Sequence, residues 1–291
     1  MLAFIFPGQG SQKRGMGEGL FDRVTEFRAI ESQIDACLGY SIRALCLEDA
    51  GNRLSQTQYT QPAMYIVNAL HYYAAVAAGD RPHVVAGHSV GEYNALLAAG
   101  AFDLLTGLRL VNKRAELMGR AKDGGMAAVV GLTAARVEQV LRDFGLTSID
   151  LANYNSPTQT VISGPVGDLN RAQRIFEQAG AQLYVPLRVS AAFHSRYMAP
   201  AAVEFAGYIA SVPIRRLTLT VISNVTGRPY PADASSEQIK TSLVKQITSS
   251  VMWSQSVECL LARGVTEFKE LGPNTVLTKL VQQTQQQQAT V

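Results

Sequence analysis

The tightest constraint in the sequence is Gly87-His88-Ser89-Val90-Gly91, a G-x-S-x-G pattern preceded by the short apolar run His83–Ala86 and followed by the helical stretch Val90–Ala99. A buried parallel strand that passes directly into a helix needs a sharp turn, and the small residues around Ser89 permit one. The turn pushes the serine hydroxyl outward, and the N-terminus of the helix behind it offers backbone N–H groups to a developing oxyanion. This context predicts an α/β chain with Ser89 as nucleophile.

The rest of the pattern fits an α/β layer with an insertion. A first strand, Leu2–Phe6, leads into a Pro-Gly-Gln-Gly turn, and Gln61-Pro62 is read as opening a helix over Ala63–Ala78, since proline is tolerated at the first helical position. Asp103 is the expected N-cap of a helix running to about Ala121, ahead of Gly124 and Gly125. From Met126 to Val189 the pattern changes. Strand Met126–Val130, helix Ala134–Phe144, strands Ile149–Tyr154 and Gln159–Ser163, helix Val166–Ala179 and strand Gln182–Val189 follow in the order βαββαβ, the ferredoxin-like arrangement. Residues 1–124 and 190–281 then form the larger layer, with late strands near Leu219–Ser223 and Glu267–Leu271, and residues 125–189 form the insertion. Residues 282–291 contain QQTQQQQ and are expected to be a flexible tail.

Composition removes other classes. Apolar residues make up 47% of the 291 and charged residues 17%, the balance of an ordinary globular protein. The net charge of +3 comes without a basic run interleaved with aromatics, which argues against nucleic acid as partner. Cys37, Cys46 and Cys259 form neither a CxxC spacing nor an even set, so reduced structural thiols are expected rather than a metal site or a disulfide framework. The opening MLAFIFPGQG lacks a basic n-region, and no run of about twenty apolar residues follows it. A cytoplasmic location without membrane association is the expectation.

A serine nucleophile needs a base, and the chain has four histidines. His71 lies mid-helix, His83 begins a strand, and His88 neighbours the serine in sequence, so its ring should point away from the hydroxyl. His194 remains. No Asp or Glu stands out as a third member, which leaves a Ser–His dyad with the imidazole oriented by a carbonyl or amide. On the helix after Asp103, at roughly 100° per residue, Arg109, Lys113, Glu116 and Arg120 share one face, while Arg114 falls within the apolar arc of Leu110, Val111, Leu117 and Met118. A guanidinium there is costly to desolvate unless an anion pairs with it. That partner is either an internal carboxylate or a ligand, and the planar fork suits a carboxylate held bidentately.

At this point the chain resembles the malonyl-CoA:acyl carrier protein transacylases, most of all the free-standing, trans-acting acyltransferases of polyketide synthases. The resemblance rests on FPGQGSQ (6–12), TQPAMY (60–65), GHSVGEYNAL (87–96), KRAELM (113–118) and GGMAAVVGL (124–132), and continues through NYNSPTQTVISG (153–164), SAAFHS (190–195), SNVTG (223–227) and ELGP (270–273). It implies an α/β-hydrolase-like large subdomain with a ferredoxin-like insertion. It also implies Ser89 as nucleophile, His194 as general base, Gln9 and the Val90 N–H as oxyanion hole, Arg114 as the malonyl carboxylate site, and a carbonyl near Gln246 orienting His194. His88 and Phe193 are assigned to the substrate pocket, and Phe193 and Val90 favour malonyl over branched acyl groups. The implied substrates are malonyl-CoA and the phosphopantetheine thiol of a holo acyl carrier protein, here carrier domains of a polyketide synthase. A monomer without metal or other cofactor is implied. Two other readings use the same residues differently: a thioester hydrolase in which water replaces the thiol, which Arg114 disfavours, and a non-catalytic docking subunit, which the joint presence of Ser89 and His194 disfavours.

Overall fold

The computed structural model describes residues 1–288. Two sheets divide the chain. The larger has the order β8-β7-β2-β1-β9, built from β1 (Leu2–Phe6), β2 (Val84–Gly87), β7 (Thr220–Ser223), β8 (Arg228–Pro229) and β9 (Glu267–Glu270). Its neighbours run parallel except at β8, which folds back antiparallel on β7. The central strands are apolar on both faces because helices cover both. In β1, Phe4 and Phe6 enter one core while Ala3 and Ile5 enter the other, so the two-residue alternation of a strand feeds two separate packing layers.

The smaller sheet has the order β4-β5-β3-β6, from β3 (Gly124–Val130), β4 (Asp150–Ser156), β5 (Gln159–Pro165) and β6 (Leu183–Pro186), and every pairing is antiparallel. With helices Ala134–Asp143 and Val166–Gln178 on one face, this is the ferredoxin-like βαββαβ unit inserted into an α/β-hydrolase-like body. Val129, Ile162 and Phe176 pack in its own core, whereas Met126, Ala128 and Val161 on the opposite face join the core of the large subdomain. The insertion is therefore packed against the body and forms one wall of the cleft.

Two expectations are corrected. The helix read as Ala63–Ala78 spans Thr57–Ala77, so Pro62 lies inside it rather than at its first position. The first turn is fixed from outside, because the Thr60 hydroxyl donates to the Leu54 and Gln56 carbonyls. The second concerns the flexible tail expected over 282–291: helix Val276–Gln288 continues through its described part, with Val281 and Thr284 buried. Leu277, Leu280, Val281 and Thr284 recur at helical spacing on one face, and that stripe overrides the glutamine-rich composition. Residues 289–291 lie outside the described residues. No helix of the described residues is long and apolar enough to cross a membrane, and among them no His, Cys, Asp and Glu cluster could hold a metal.

Candidate active site

The turn that carries Ser89 is built by close backbone approach. A Cβ on Gly87 would lie 2.0 Å from the Gly91 carbonyl group, and one on Gly91 would lie 2.1 Å from the Phe6 carbonyl oxygen. Only glycine fits at either place, and the strand can then turn into helix Gly91–Ala98 within four residues. Ser89, at the apex, has φ of 52°, a left-handed conformation that a non-glycine residue holds only under constraint. The constraint is visible on both sides of the turn. The Ser89 N–H donates to Asn224 Oδ1 at 2.6 Å, Asn224 Nδ2 donates to the Gly87 carbonyl at 2.6 Å, and Gln246 Nε2 donates to the Ser89 carbonyl at 3.0 Å.

The Ser89 hydroxyl lies 2.7 Å from His194 Nε2. His194 is also left-handed, with φ of 56°, and its Nδ1 lies 2.9 Å from the Gln246 carbonyl oxygen. A carbonyl accepts only, so Nδ1 carries the proton and Nε2 is left as the acceptor facing the serine. Burial, followed by the positive charge of Arg114, pushes the His194 pKa down to about 3. The ring is therefore neutral near physiological pH, the form a base requires.

Arg114 is fully buried on helix Leu104–Gly119. Its Nη1 donates to Gln61 Oε1 at 2.6 Å, and its Nη2 donates to Ser89 Oγ at 3.1 Å and to Gln246 Oε1 at 3.0 Å. All three acceptors are neutral, and Nε is buried without a hydrogen-bond partner. No carboxylate among the described residues lies within ion-pair distance of it. The internal ion pair considered as an alternative at Arg114 is thus absent in its direct form.

A cavity of about 90 Å³ opens over these groups, lined by Gln9, Gln61, His88, Ser89, Met118, Met126, Asn153, Leu187, Val189, Phe193 and His194. Gln9 sits at its edge with Nε2 donating to Thr57 Oγ1 at 3.3 Å. Val90, the residue after Ser89, is fully buried. His88 turns away from the serine, its Nε2 2.9 Å from Asn155 Oδ1 on the small subdomain, and its ring lies beside Trp253. Of the residues assigned to the site from the sequence, Gln9, His88, Ser89, Phe193 and His194 line this cavity, Arg114 and Gln246 are hydrogen-bonded to Ser89, and Val90 follows it in the chain.

Three contributors, Gln61, Asn224 and Glu92, are not signalled by the sequence, and at Gln246 only the carbonyl is expected. Gln61 and Asn224 are neutral amides, within quoted motifs but with no signal of their own. Gln246 acts through its side chain as well as its carbonyl. Glu92, the residue after the G-x-S-x-G pattern, is fully buried, with Oε1 accepting from the Tyr230 hydroxyl at 2.6 Å and Oε2 from Gln246 Nε2 at 2.6 Å and the Asn224 N–H at 3.2 Å. Burial raises its pKa to about 7 against the opposing pull of those donors and of Arg114.

Comparison with known proteins agrees in sequence and in fold. The acyl transferase domain family matches residues 3–291. The chain is 51% identical over 283 residues to the polyketide biosynthesis malonyl CoA-acyl carrier protein transacylase BaeC of Bacillus velezensis, covering 97% of this chain and 96% of that one. The crystal structure of a malonyl CoA-acyl carrier protein transacylase from Burkholderia pseudomallei superposes with a TM-score of 0.92 at 47% identity, over 99% of this chain and 98% of that chain. A malonyl-transacylase, PlMCAT, solved in complex with the type II polyketide synthase acyl-carrier protein AntF, superposes with a TM-score of 0.91 at 32% identity over 97% and 92% of the two chains.

Proposed function

The chain is an acyltransferase belonging to the malonyl-CoA:acyl carrier protein transacylase family, and from that premise we propose that it moves a malonyl group from malonyl-CoA to the phosphopantetheine thiol of a carrier protein through a malonyl-Ser89 ester. The observation that carries this reading is the Ser89 hydroxyl lying 2.7 Å from a neutral imidazole and 3.1 Å from a buried guanidinium.

In the first half-reaction His194 Nε2 takes the Ser89 proton as Oγ attacks the thioester carbonyl. Charge develops on the carbonyl oxygen, where the Val90 N–H at the helix start and the Gln9 side chain receive it. When the intermediate collapses the C–S bond breaks, and the imidazolium returns its proton to the departing coenzyme A thiol. In the second half-reaction a carrier thiol gives its proton to His194 and attacks the ester, and collapse restores Ser89. Arg114 holds the far carboxylate of the malonyl group in place of its neutral acceptors, because a charged acceptor bonds about twice as strongly. The chemistry uses only side chains and backbone, so no metal or other cofactor enters the proposal.

Sequence likeness to BaeC supports a role in polyketide assembly, with carrier domains of a synthase as acceptors. The solved complex of PlMCAT with AntF is the precedent for a carrier protein as partner on this fold. A monomeric enzyme of the cytoplasm completes the proposal.

The test is intact-mass analysis after mixing with malonyl-CoA, followed by peptide mapping. One malonyl group on Ser89, absent from Ser89→Ala, is the expected result. A malonyl adduct of equal yield on Ser89→Ala would overturn the assignment.

A further inference from the structure

Glu92 and Arg114 are both fully buried, carry opposite charge, and do not touch; the Gln246 side chain stands between them. Chemistry fixes the orientation of that amide. Glu92 Oε2 and the Ser89 carbonyl accept only and must face Nε2, whereas Arg114 donates only and must face Oε1. The carboxylate is held in turn by the Tyr230 hydroxyl and the Asn224 N–H.

We propose that Glu92 is the relayed counter-charge of Arg114, a positioning residue that acts through the Gln246 amide and sets how strongly the guanidinium attracts a carboxylate-bearing acyl group. The inference rests on the proposed role of Arg114. A carboxylate in direct contact would occupy the fork and exclude the substrate. One set back by a single amide neutralises part of the charge in the resting enzyme, which lowers the cost of burying it, yet leaves the fork open. Where the fork holds a malonyl carboxylate, the same negative charge opposes it over the same short span of low-dielectric interior, and without the fork no carboxylate is held there to be opposed. It therefore tempers malonyl capture and leaves an uncharged acyl group untouched. The charged or titratable groups around Glu92 are Tyr93 on its own helix, Arg114 on the neighbouring helix and Tyr230 after β8.

Glu92→Gln isolates the charge. The new amide can present its oxygen to Gln246 and Asn224 and its nitrogen to the Tyr230 oxygen, while the tyrosine proton turns to Ser242 Oγ at 3.1 Å. The readout is the ratio of malonyl-CoA to acetyl-CoA in kcat/KM for acyl-enzyme formation, measured above pH 8, in four proteins: the unmodified enzyme, Glu92→Gln, Arg114→Ala and the double variant. The expected result is a ratio about tenfold higher in Glu92→Gln and unchanged within twofold when the same change is made in Arg114→Ala. A ratio that stays put or falls in Glu92→Gln, or that moves equally in both backgrounds, overturns the proposal.

If Arg114→Ala alone leaves the ratio unaltered, the reading of Arg114 itself fails, and that outcome is told apart by needing no Glu92 variant. Tyr230→Phe provides a second, milder probe should Glu92→Gln not fold. Loss of one donor to the carboxylate favours its protonation, so the ratio should rise in the same direction near pH 7, and a fall or no change counts against the proposal.

Discussion

The two walls of the cleft are built differently. On the large-subdomain side Ser89, Gln61, Arg114, Gln246, Asn224 and Glu92 are joined by hydrogen bonds of 2.6–3.2 Å, and all but Ser89 are buried. On the small-subdomain side Met126, Leu187 and Val189 present apolar surface, with Asn153 as the polar lining residue. Leu187 is 36% exposed, and Leu183 and Val185, four and two residues earlier on β6, are more exposed still at 58% and 44%. The first wall is a fixed polar array, pre-organised for charge that appears during reaction. The second offers chiefly apolar shape, with Asn153 and Asn155 turned to His88. A change on the first wall should alter rates by orders of magnitude and separate one acyl group from another, while a change on the second should alter all acyl groups modestly and alike.

The contrast is broken most directly at Ser89 and His194. Ser89→Ala should eliminate acyl-enzyme formation at unchanged melting temperature, read by intact mass. His194→Ala should lower the acylation rate by about 10²–10⁴-fold in rapid-quench kinetics. Residual acylation of Ser89→Ala, or unaltered kinetics in His194→Ala, would remove the catalytic meaning of the first wall.

Arg114→Ala comes next. Removing one partner of a buried charged pair costs about 2–5 kcal/mol, or roughly thirty-fold to several-thousand-fold in malonyl kcat/KM. Acetyl transfer should decline far less, and Arg114→Lys should restore only part, because a point charge lacks the fork. An equal decline for both substrates would make the arginine structural.

Leu187→Ala tests the other wall. Loss of about 1 kcal/mol of apolar contact corresponds to roughly fivefold in kcat/KM, with the malonyl to acetyl ratio unchanged. A shift in that ratio would show that the small subdomain also selects the acyl group.

The pH profile sharpens the same contrast. An ordinary histidine gains its proton near pH 6.5 and would lose half its activity as a base there, but burial and Arg114 hold His194 down to about 3. Acetyl transfer, which carries no carboxylate to sense Glu92, should therefore stay flat as pH falls from 7 to 5. An acidic limb near 6.5 would mean that His194 is more solvated than its packing indicates.

Much of this was legible in the sequence, for physical reasons that also mark where legibility ends. Ser89 stood out because a strand, a tight turn and a helix leave a characteristic spacing of small residues. Arg114 stood out because its helix has a polar face from which the arginine is displaced. Glu92 had no such contrast. Helix Gly91–Ala98 is buried on every side, so an acid within it breaks no pattern. Gln61 and Asn224 are neutral, and no single-residue signal separates an amide that binds a backbone turn from one facing water.

In the fold, the period-two strands of the insertion gave its βαββαβ order, whereas the C-terminal segment was read by glutamine content when its apolar stripe was the stronger signal. Deleting residues 282–291 should accordingly lower the melting temperature by about 2–4 °C for each kcal/mol lost, since Thr284 is 1% exposed. No change would return that segment to the role of a tail.

Transfer is tested most directly by the fate of isolated malonyl-enzyme divided between water and a holo acyl carrier protein. Nearly all of the malonyl group should pass to the carrier thiol, and the ester should persist when the carrier is omitted. Rapid loss to water at a rate the carrier protein does not alter would contradict transfer and assign the same Ser89, His194 and Arg114 array to a hydrolase.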